Sequence, residues 1–201
     1  MIREWFRRRR RRPWTDEVLW ALDLEASGLD VRRDVILSVG MVPILEGRIH
    51  YGQRWYSLVR PPVDREPSVE ALRVHHILPE ETRDAPPLPT VLDGVLRRLG
   101  DAVLLVHHAR LDSALLKRAC RECDRDWPRP RGVDTQDLPS RLSWRRRMLE
   151  PHAEAYSAGL DAARSELGLP AHASHHALGD ALATAELFLA LQRRLDAKTL
   201  P

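Results

Sequence analysis

Cysteine is scarce in this chain of 201 residues, which contains only Cys120 and Cys123. Two cysteines are too few to build a disulfide scaffold. Their C-x-x-C spacing also suits a zinc or redox site, but the pair lies in a predicted helix with no second ligand pair nearby. We therefore expect both cysteines to be structural.

Long apolar runs are absent as well, and none reaches the ~20 residues that a membrane-spanning helix needs. The N-terminus is basic, but no apolar stretch follows Arg12, so the sequence does not predict a secretory signal. Apolar residues make up 43% of the chain and charged residues 30%, which is typical of a globular protein with one sizeable core. We expect a cytoplasmic protein that does not enter a membrane.

The net charge is only +3, but positive charge is concentrated in two places. One is the run of six arginines from Arg7 to Arg12, and the other is the cluster at residues 145–147. Runs of like charge are usually solvated, whereas clustered arginines can also attract phosphate groups. Residues 1–14 are therefore predicted to form a flexible basic arm, either a solvated tail or a contact for an anionic surface. Residues 15–201 are predicted to form the folded domain.

The hydrophobic pattern predicts strands in the first part of the chain and mostly helices afterwards. Three strands with short links, over 18–24, 35–45 and 48–59, indicate an antiparallel meander. Two later strands are predicted over 102–107 and 132–134, and helices over 68–74, 90–99, 110–123, 156–167 and 174–195. We expect an α/β fold in which a mixed five-stranded sheet is flanked by helices.

Two carboxylates lie at the end of the first predicted strand. Because side chains alternate between faces, Asp23 and Glu25 point to the same side. Like charges in a partly buried site repel each other, and a hard cation such as Mg²⁺ would relieve that repulsion. Gly28 follows and would let the backbone approach a ligand closely. A strand that simply ends in a polar loop would also explain the D-x-E spacing.

Two further carboxylates fall on apolar stripes of predicted helices. Asp112 is in line with Leu115 and Leu116, and Asp180 is the one charged residue in the run 177–185. Charged side chains are rarely buried without a partner or a metal. Asp112 could instead favour the helix dipole, and Asp180 could pair with an arginine.

A histidine near Asp180 could serve as a general base near neutral pH. His175 lies five residues before Asp180, but His172 and His176 lie in the same segment. Spacing alone does not choose among the three.

Three segments together resemble the motifs of the DEDDh branch of the DnaQ-like 3′→5′ exonucleases. The family pattern D-x-E-[TS]-[TS]-G-L is similar to residues 23–29, H-N-A-x-F-D-x-x-F-L to residues 107–116, and H-x-A-x-x-D-A-x-x-T to residues 175–184. Weaker similarities to I-H-G-I and I-D-T lie at residues 74–77 and 133–135. The resemblance covers roughly residues 18–195 in the family's order, and it selects His175 over its neighbours.

The resemblance implies a ribonuclease H-like three-layer fold and a two-metal exonuclease that releases nucleoside 5′-monophosphates. Asp23, Glu25 and Asp180 would hold one Mg²⁺ or Mn²⁺ ion, and Asp23 and Asp112 would help to hold a second. His175 would take the proton of the attacking water. Contacts to the terminal nucleotide would come from residues matched to the first two motifs: Ala26, Ser27, Leu29 and His108.

Departures from the family pattern leave every metal ligand and the base in place. Ala26 replaces a hydroxyl residue, His108 an asparagine and Leu111 a phenylalanine.

The expected substrate is the 3′ end of single-stranded DNA or RNA, between which the sequence does not choose. The alternatives are a nucleic-acid-binding module with weak or no catalysis and an RNA-trimming or oligoribonuclease-type enzyme. Because the last predicted helix ends almost where the chain ends, we expect at most a loose association with a DNA polymerase. Whether the protein forms a homodimer is left open.

Overall fold

A six-stranded mixed sheet is the centre of the computed structural model, which describes residues 12–63, 65, 69–172 and 174–201. The strand order is β3-β2-β1-β5-β6, and β4 pairs with β2 beside β3. β1 runs antiparallel to β2 and parallel to β5, which is parallel to β6. The strands are β1 (Leu19–Ala26), β2 (Ile36–Leu45), β3 (Arg48–Ile49), β4 (Trp55–Leu58), β5 (Val103–Val106) and β6 (Gly132–Asp134).

Helices cover both faces of this sheet. One core cluster joins Leu22 and Leu24 of β1 to the helices α3 and α4, and a second joins Leu19 and Ala21 to α5, α6 and α7. The helices are α1 (Val69–His75), α2 (Pro79–Arg83), α3 (Leu88–Leu99), α4 (Ala109–Glu122), α5 (Leu138–Leu149), α6 (Leu160–Glu166) and α7 (Ala177–Leu195). The predicted α/β fold, with a mixed sheet between two helical layers, is confirmed.

The predicted third strand over 48–59 is wrong in one respect, because the structure divides it into β3 and β4. A short 3-10 turn at Tyr51–Gln53 separates the two strands. Pairing with β2 stops after Ile44 and resumes at Met41, on either side of Pro43. Proline has no N–H to donate to a ladder, so the partner strand leaves the sheet there. The sheet therefore has six strands in the described residues, not five.

Helix boundaries differ from the prediction where side chains capture the backbone. The helix expected over 156–167 begins only at Leu160, because the N–H of Tyr156 donates to the Ser143 hydroxyl and Ser157 is bound by Glu166. The helix expected from residue 174 begins at Ala177. Two helices, α2 and α5, had no predicted bounds, and the expected start of α1 at Ser68 lies outside the described residues.

Trp14, which the sequence places at the end of the basic arm, packs against the domain. Its ring meets that of Phe188 edge-on at 5.4 Å, and its Nε1 donates to the carbonyl of Ala197. Residues 1–11 of the predicted arm lie outside the described residues. Over the described part of the chain, no helix has both the length and the apolar character to cross a bilayer.

Both cysteines have structural surroundings. Cys120 is 1% exposed within the α3–α4 core, and Cys123 packs against its margin. Burial raises the pKa of Cys120 to about 11, with a smaller contribution from Cys123. A thiol of this kind stays protonated at neutral pH and is a poor ligand or nucleophile.

Helix α7 begins in direct contact with the backbone of β2. A side chain at Gly40 would place its Cβ only 2.3 Å from the carbonyl of Ala177 and from the backbone nitrogen of Leu178. Gly40 is the cross-strand partner of Asp23, so the two residues share a face of the sheet. The missing side chain therefore lets the first turn of α7 lie beside Asp23.

We predict that Gly40→Ala lowers the free energy of unfolding by about 1–3 kcal/mol or more, because the added methyl group overlaps a backbone that cannot move alone. Chemical denaturation measures this directly. Gly52→Ala is the matched control, since no heavy atom lies within 4 Å of a Cβ built there. Equal effects of the two substitutions would contradict the proposed close packing.

Candidate active site

Three carboxylates from two distant parts of the chain meet above the end of β1. One oxygen each from Asp23, Glu25 and Asp180 lie within 4.8 Å of one another. Alternation along β1 points Asp23 and Glu25 to the same face, while the first turn of α7 supplies Asp180. The structure thus brings together three of the four carboxylates that the sequence singled out.

The fourth carboxylate, Asp112, lies beside this group in the first turn of α4 and is 5% exposed. Its helix is held in place by Asp134 at the end of β6, whose carboxylate accepts hydrogen bonds from the backbone of His108 (3.0 Å) and Ala109 (2.7 Å). Asp112 is not part of the 4.8 Å group, but it is close enough to raise the pKa of Asp23.

Burial and mutual repulsion make Asp23, Glu25 and Asp112 unusually weak acids. Burial raises the pKa of Asp23 well above its ordinary value, and the charges of Asp112, Asp180 and Glu25 raise it further. The pKa of Glu25 rises to about 7, first through burial and then through Asp180. Burial, Asp134 and Glu25 likewise raise the pKa of Asp112. A positive charge among them would remove the repulsion.

Asp180 is held by hydrogen bonds from the segment that precedes α7. Its Oδ2 accepts from the backbone N–H groups of His175 (2.8 Å) and His176 (3.2 Å). His172 places its Nε2 2.7 Å from Oδ1 and its Nδ1 3.4 Å from a carboxylate oxygen of Asp161. The carboxylate of Asp180 therefore has a fixed orientation, and its Oδ1 is within hydrogen-bond distance of His172.

The three histidines of this segment have different surroundings. His175 lines the cavity beside Asp23 and Glu25, with its backbone in the left-handed region at φ 64°. His172 bridges Asp180 and Asp161. His176 stacks on Tyr56 with ring centroids 4.8 Å apart, and its Nδ1 accepts from the N–H of Gly179.

An open cavity of about 640 Å³ extends from the carboxylates. Ala26 and Leu29 are among its lining residues, and Leu29 is 82% exposed. Ser27 and His108 are not among them. Ser27 is buried and His108 is exposed at the start of α4.

A hydrogen-bond network fixes the loop between β1 and β2, which carries Leu29. The hydroxyl of Ser27 donates to Asp34 and accepts from the N–H of Val35, and the second oxygen of Asp34 accepts from the N–H of Asp30. The guanidinium of Arg118 donates to the carbonyls of Val31 and Asp34. The hydroxyl of Ser27 is therefore occupied by hydrogen bonds within the loop.

Two residues near the site had no role assigned from the sequence, and one of them lines the cavity. His75 of α1 is 6% exposed and lines the cavity, and its Nδ1 accepts from the N–H of Ile77. The proton of the neutral ring must therefore lie on Nε2, which has no hydrogen-bond partner among the described residues. Burial lowers the pKa of His75, as does His76, so the neutral form is favoured.

The second such residue is Tyr56, which pairs with Gly40 across β2 and β4. Its ring stacks on that of His176. Burial raises its pKa. The sequence offers only a weak signal for His75, the similarity of residues 74–77 to I-H-G-I, and none for Tyr56, whose contact depends on sheet register.

The exonuclease family represented by RNase T matches residues 20–188, a range that includes all four carboxylates and His175. The chain belongs to the exonuclease family. It is 31% identical over 175 residues to the PolC-type DNA polymerase III of Thermotoga maritima, covering 87% of this chain and 12% of that protein. It is 32% identical over 181 residues to a DNA polymerase III subunit epsilon-like protein of Rhodobacter capsulatus, covering 89% of this chain and 24% of that protein.

Solved structures support the fold of this exonuclease-family chain. The zinc-bound complex of E. coli exonuclease I with single-stranded DNA superimposes with a TM-score of 0.77 at 16% identity, covering 90% of this chain and 41% of that one. At that identity the likeness concerns the ribonuclease H-like fold alone. The chain spans less than half the length of each of these three proteins.

We predict that Asp23→Asn stabilises the exonuclease domain in the presence of EDTA, because a neutral amide replaces a carboxyl group whose ionised form is disfavoured by burial and by its acidic neighbours. A rise of ~1–3 kcal/mol in the free energy of unfolding is expected, the usual cost of a buried group without a partner. Thermal or urea unfolding at neutral pH measures it. The control Asp101→Asn changes an exposed carboxylate and should have little effect. A loss of stability in Asp23→Asn would show that repulsion does not govern the site.

Proposed function

We propose that this chain is a metal-dependent 3′→5′ exonuclease that removes nucleotides from the 3′ end of single-stranded DNA or RNA. The observation that carries the proposal is the meeting of Asp23, Glu25 and Asp180 within 4.8 Å, with Asp112 beside them, at the floor of an open cavity. Such a donor set of carboxylate oxygens suits hard divalent cations.

The proposed ligands divide into two overlapping sets. Asp23, Glu25 and Asp180 would hold one Mg²⁺ or Mn²⁺ ion, and Asp23 with Asp112 would help to hold the other. When bound, the ions would supply the charge that activates a water and stabilises the phosphoryl transition state. Their affinity depends on ionised carboxylates, so the raised pKa of Glu25, about 7, makes binding compete with protons.

His175 is the proposed general base. It lines the cavity beside the carboxylates, while two backbone N–H bonds to Asp180, its own and that of His176, fix the segment that carries it. From this position its imidazole would accept the proton of the attacking water. His172 has both ring nitrogens facing carboxylates and is better suited to orienting Asp180.

The terminal nucleotide would lie in the cavity between β1 and α1. Ala26 and Leu29 would contact its sugar and base from one side. The Nε2–H of His75, which has no partner among the residues that the structure describes, is a donor that a substrate oxygen would satisfy from the other side. Ser27 would contribute mainly by fixing the shape of the loop between β1 and β2. His108, exposed at the start of α4, would contact the nucleic acid strand where it enters the site.

A nucleic-acid-binding module without catalysis fits the site less well. A pure binder gains nothing from concentrated negative charge where phosphates must approach.

The polymerase III relatives support a DNA polymerase as the partner of this chain, and the released product would be a nucleoside 5′-monophosphate. The site contains no described feature that selects DNA over RNA, so both belong in the test.

We predict that the protein shortens 5′-labelled single-stranded DNA or RNA stepwise from the 3′ end with Mg²⁺ or Mn²⁺, and that EDTA stops the reaction. Asp23→Ala should lower the rate more than ~100-fold, since even outer partners of metal ligands cost 10–100-fold. Gel analysis of the products and detection of 5′-monophosphates check this. Degradation that continues unchanged in Asp23→Ala, with Asp101→Ala as the control, would refute the site.

We predict that replacing His175 lowers activity more than replacing His172. His175→Ala should lower kcat by ~10²–10⁴, as removal of a general base does. His172→Ala should cost ~10–100-fold through a less ordered Asp180, mainly as weaker metal affinity. Rates measured against Mn²⁺ concentration distinguish the two. If excess Mn²⁺ rescues His175→Ala but not His172→Ala, the two roles must be exchanged.

A further inference from the structure

Helix α5 presents a stripe of basic and apolar side chains that the candidate site does not use. Arg141, Trp144, Arg145 and Met148 are spaced i, i+3, i+4 and i+7, so they lie along one side of the helix. Trp144 is 68% exposed and Met148 67%. The opposite side, which packs on the domain, contains the buried residues Leu138, Pro139, Leu142 and Ser143. Trp144 and Met148 thus place two large apolar side chains next to each other at the surface, a feature typical of interaction surfaces.

The stripe also carries positive charge that the described residues do not neutralise. Helix α5 contains four arginines and no acidic residue. Arg146 is paired with Glu150, but Arg145 donates to the backbone carbonyl of Leu195, which leaves its charge intact. In the described part of the chain, Arg141 forms no ion pair. Positive charge beside an exposed aromatic ring suits a strand of phosphates and stackable bases better than an apolar protein surface.

The beginning of α5 lies next to the active-site edge of the sheet. The chain passes from Asp134 at the end of β6 through one 3-10 turn, Thr135–Asp137, into α5. Asp134 is the same residue that holds the first turn of α4, where Asp112 lies. The stripe starts at Arg141, one turn into the helix, and extends for ~10 Å at 1.5 Å per residue. Arg145 contacts the carbonyl of Leu195 at the end of α7, whereas Asp180 lies in the first turn of α7, so the stripe leads away from the carboxylates.

We propose that this stripe, the α5 stripe of Arg141, Trp144, Arg145 and Met148, binds the single-stranded nucleic acid behind the 3′ terminus. A base stacks on Trp144, Met148 extends the apolar surface, and the two arginines contact phosphates. The inference rests on the proposed exonuclease function and adds to it a second contact region. In this proposal α5 raises the affinity for longer strands, and the carboxylate site carries out hydrolysis.

The test compares a substrate that spans both regions with one that reaches only the first. Wild type, Trp144→Ala, Trp144→Phe and Arg141→Gln/Arg145→Gln are assayed on a single-stranded oligothymidylate and on the p-nitrophenyl ester of thymidine 5′-monophosphate. Binding of the labelled oligonucleotide is measured by anisotropy in EDTA at several salt concentrations. Arg48→Gln is the matched control, because Arg48 is an exposed arginine on β3, at the opposite edge of the sheet from β6.

Trp144→Ala should weaken oligonucleotide binding about 5- to 100-fold, the effect of losing one stacked base, and Trp144→Phe should restore most of it. The double arginine variant should lower the slope of log affinity against log salt by about 1.4, since each phosphate contact on a single strand contributes about 0.7. Hydrolysis of the mononucleotide ester should be unchanged in all variants.

Unchanged oligonucleotide binding in Trp144→Ala and in the arginine variant would overturn the inference. So would a change in oligomeric state, seen by light scattering, without a change in oligonucleotide affinity, because the stripe would then be a protein interface. If wild type hydrolyses neither substrate, the exonuclease proposal fails first. If it hydrolyses the ester and the stripe variants bind the oligonucleotide normally, only the α5 assignment fails.

Discussion

The close approach of α7 to Gly40 is the constraint on which the rest of the site depends. Asp23 and Glu25 come from a strand near the start of the chain, and Asp180 from a helix more than 150 residues later. They can share a site only because the position opposite Asp23 has no side chain, so that the first turn of α7 reaches the sheet. Tyr56, on the other side of Gly40, then supports the helix start through its stack on His176.

The same packing forces like charges together at a cost in stability. The carboxylates are buried or half-buried and repel one another, and the hydrogen bonds that Asp180 accepts offset only part of that repulsion. Two apolar clusters, one on each face of β1, hold the strand and helix in place despite this cost. Proteins commonly accept such local instability where a ligand is to be bound, because the ligand then supplies the missing interaction.

Local patterns in the sequence were sufficient to predict those parts of the site that lie on a single strand or helix. Alternation along β1 predicted the shared face of Asp23 and Glu25, and a lone charge in an apolar helix marked Asp180. The strand break at Pro43 could not be read from residues 48–59, because the proline lies on the neighbouring strand. Likewise, Tyr56, Arg118 and the role of Asp134 depend on contacts between elements far apart in the sequence.

We propose that Asp23, Glu25, Asp112 and Asp180 together form a divalent-metal centre. The most direct measurement is anomalous diffraction from crystals grown with Mn²⁺. We expect an anomalous peak in contact with oxygens of Asp23, Glu25 and Asp180, and a second beside Asp23 and Asp112 when a nucleotide is present. Crystals that contain Mn²⁺ elsewhere, with these carboxylates ordered and no peak between them, would contradict it.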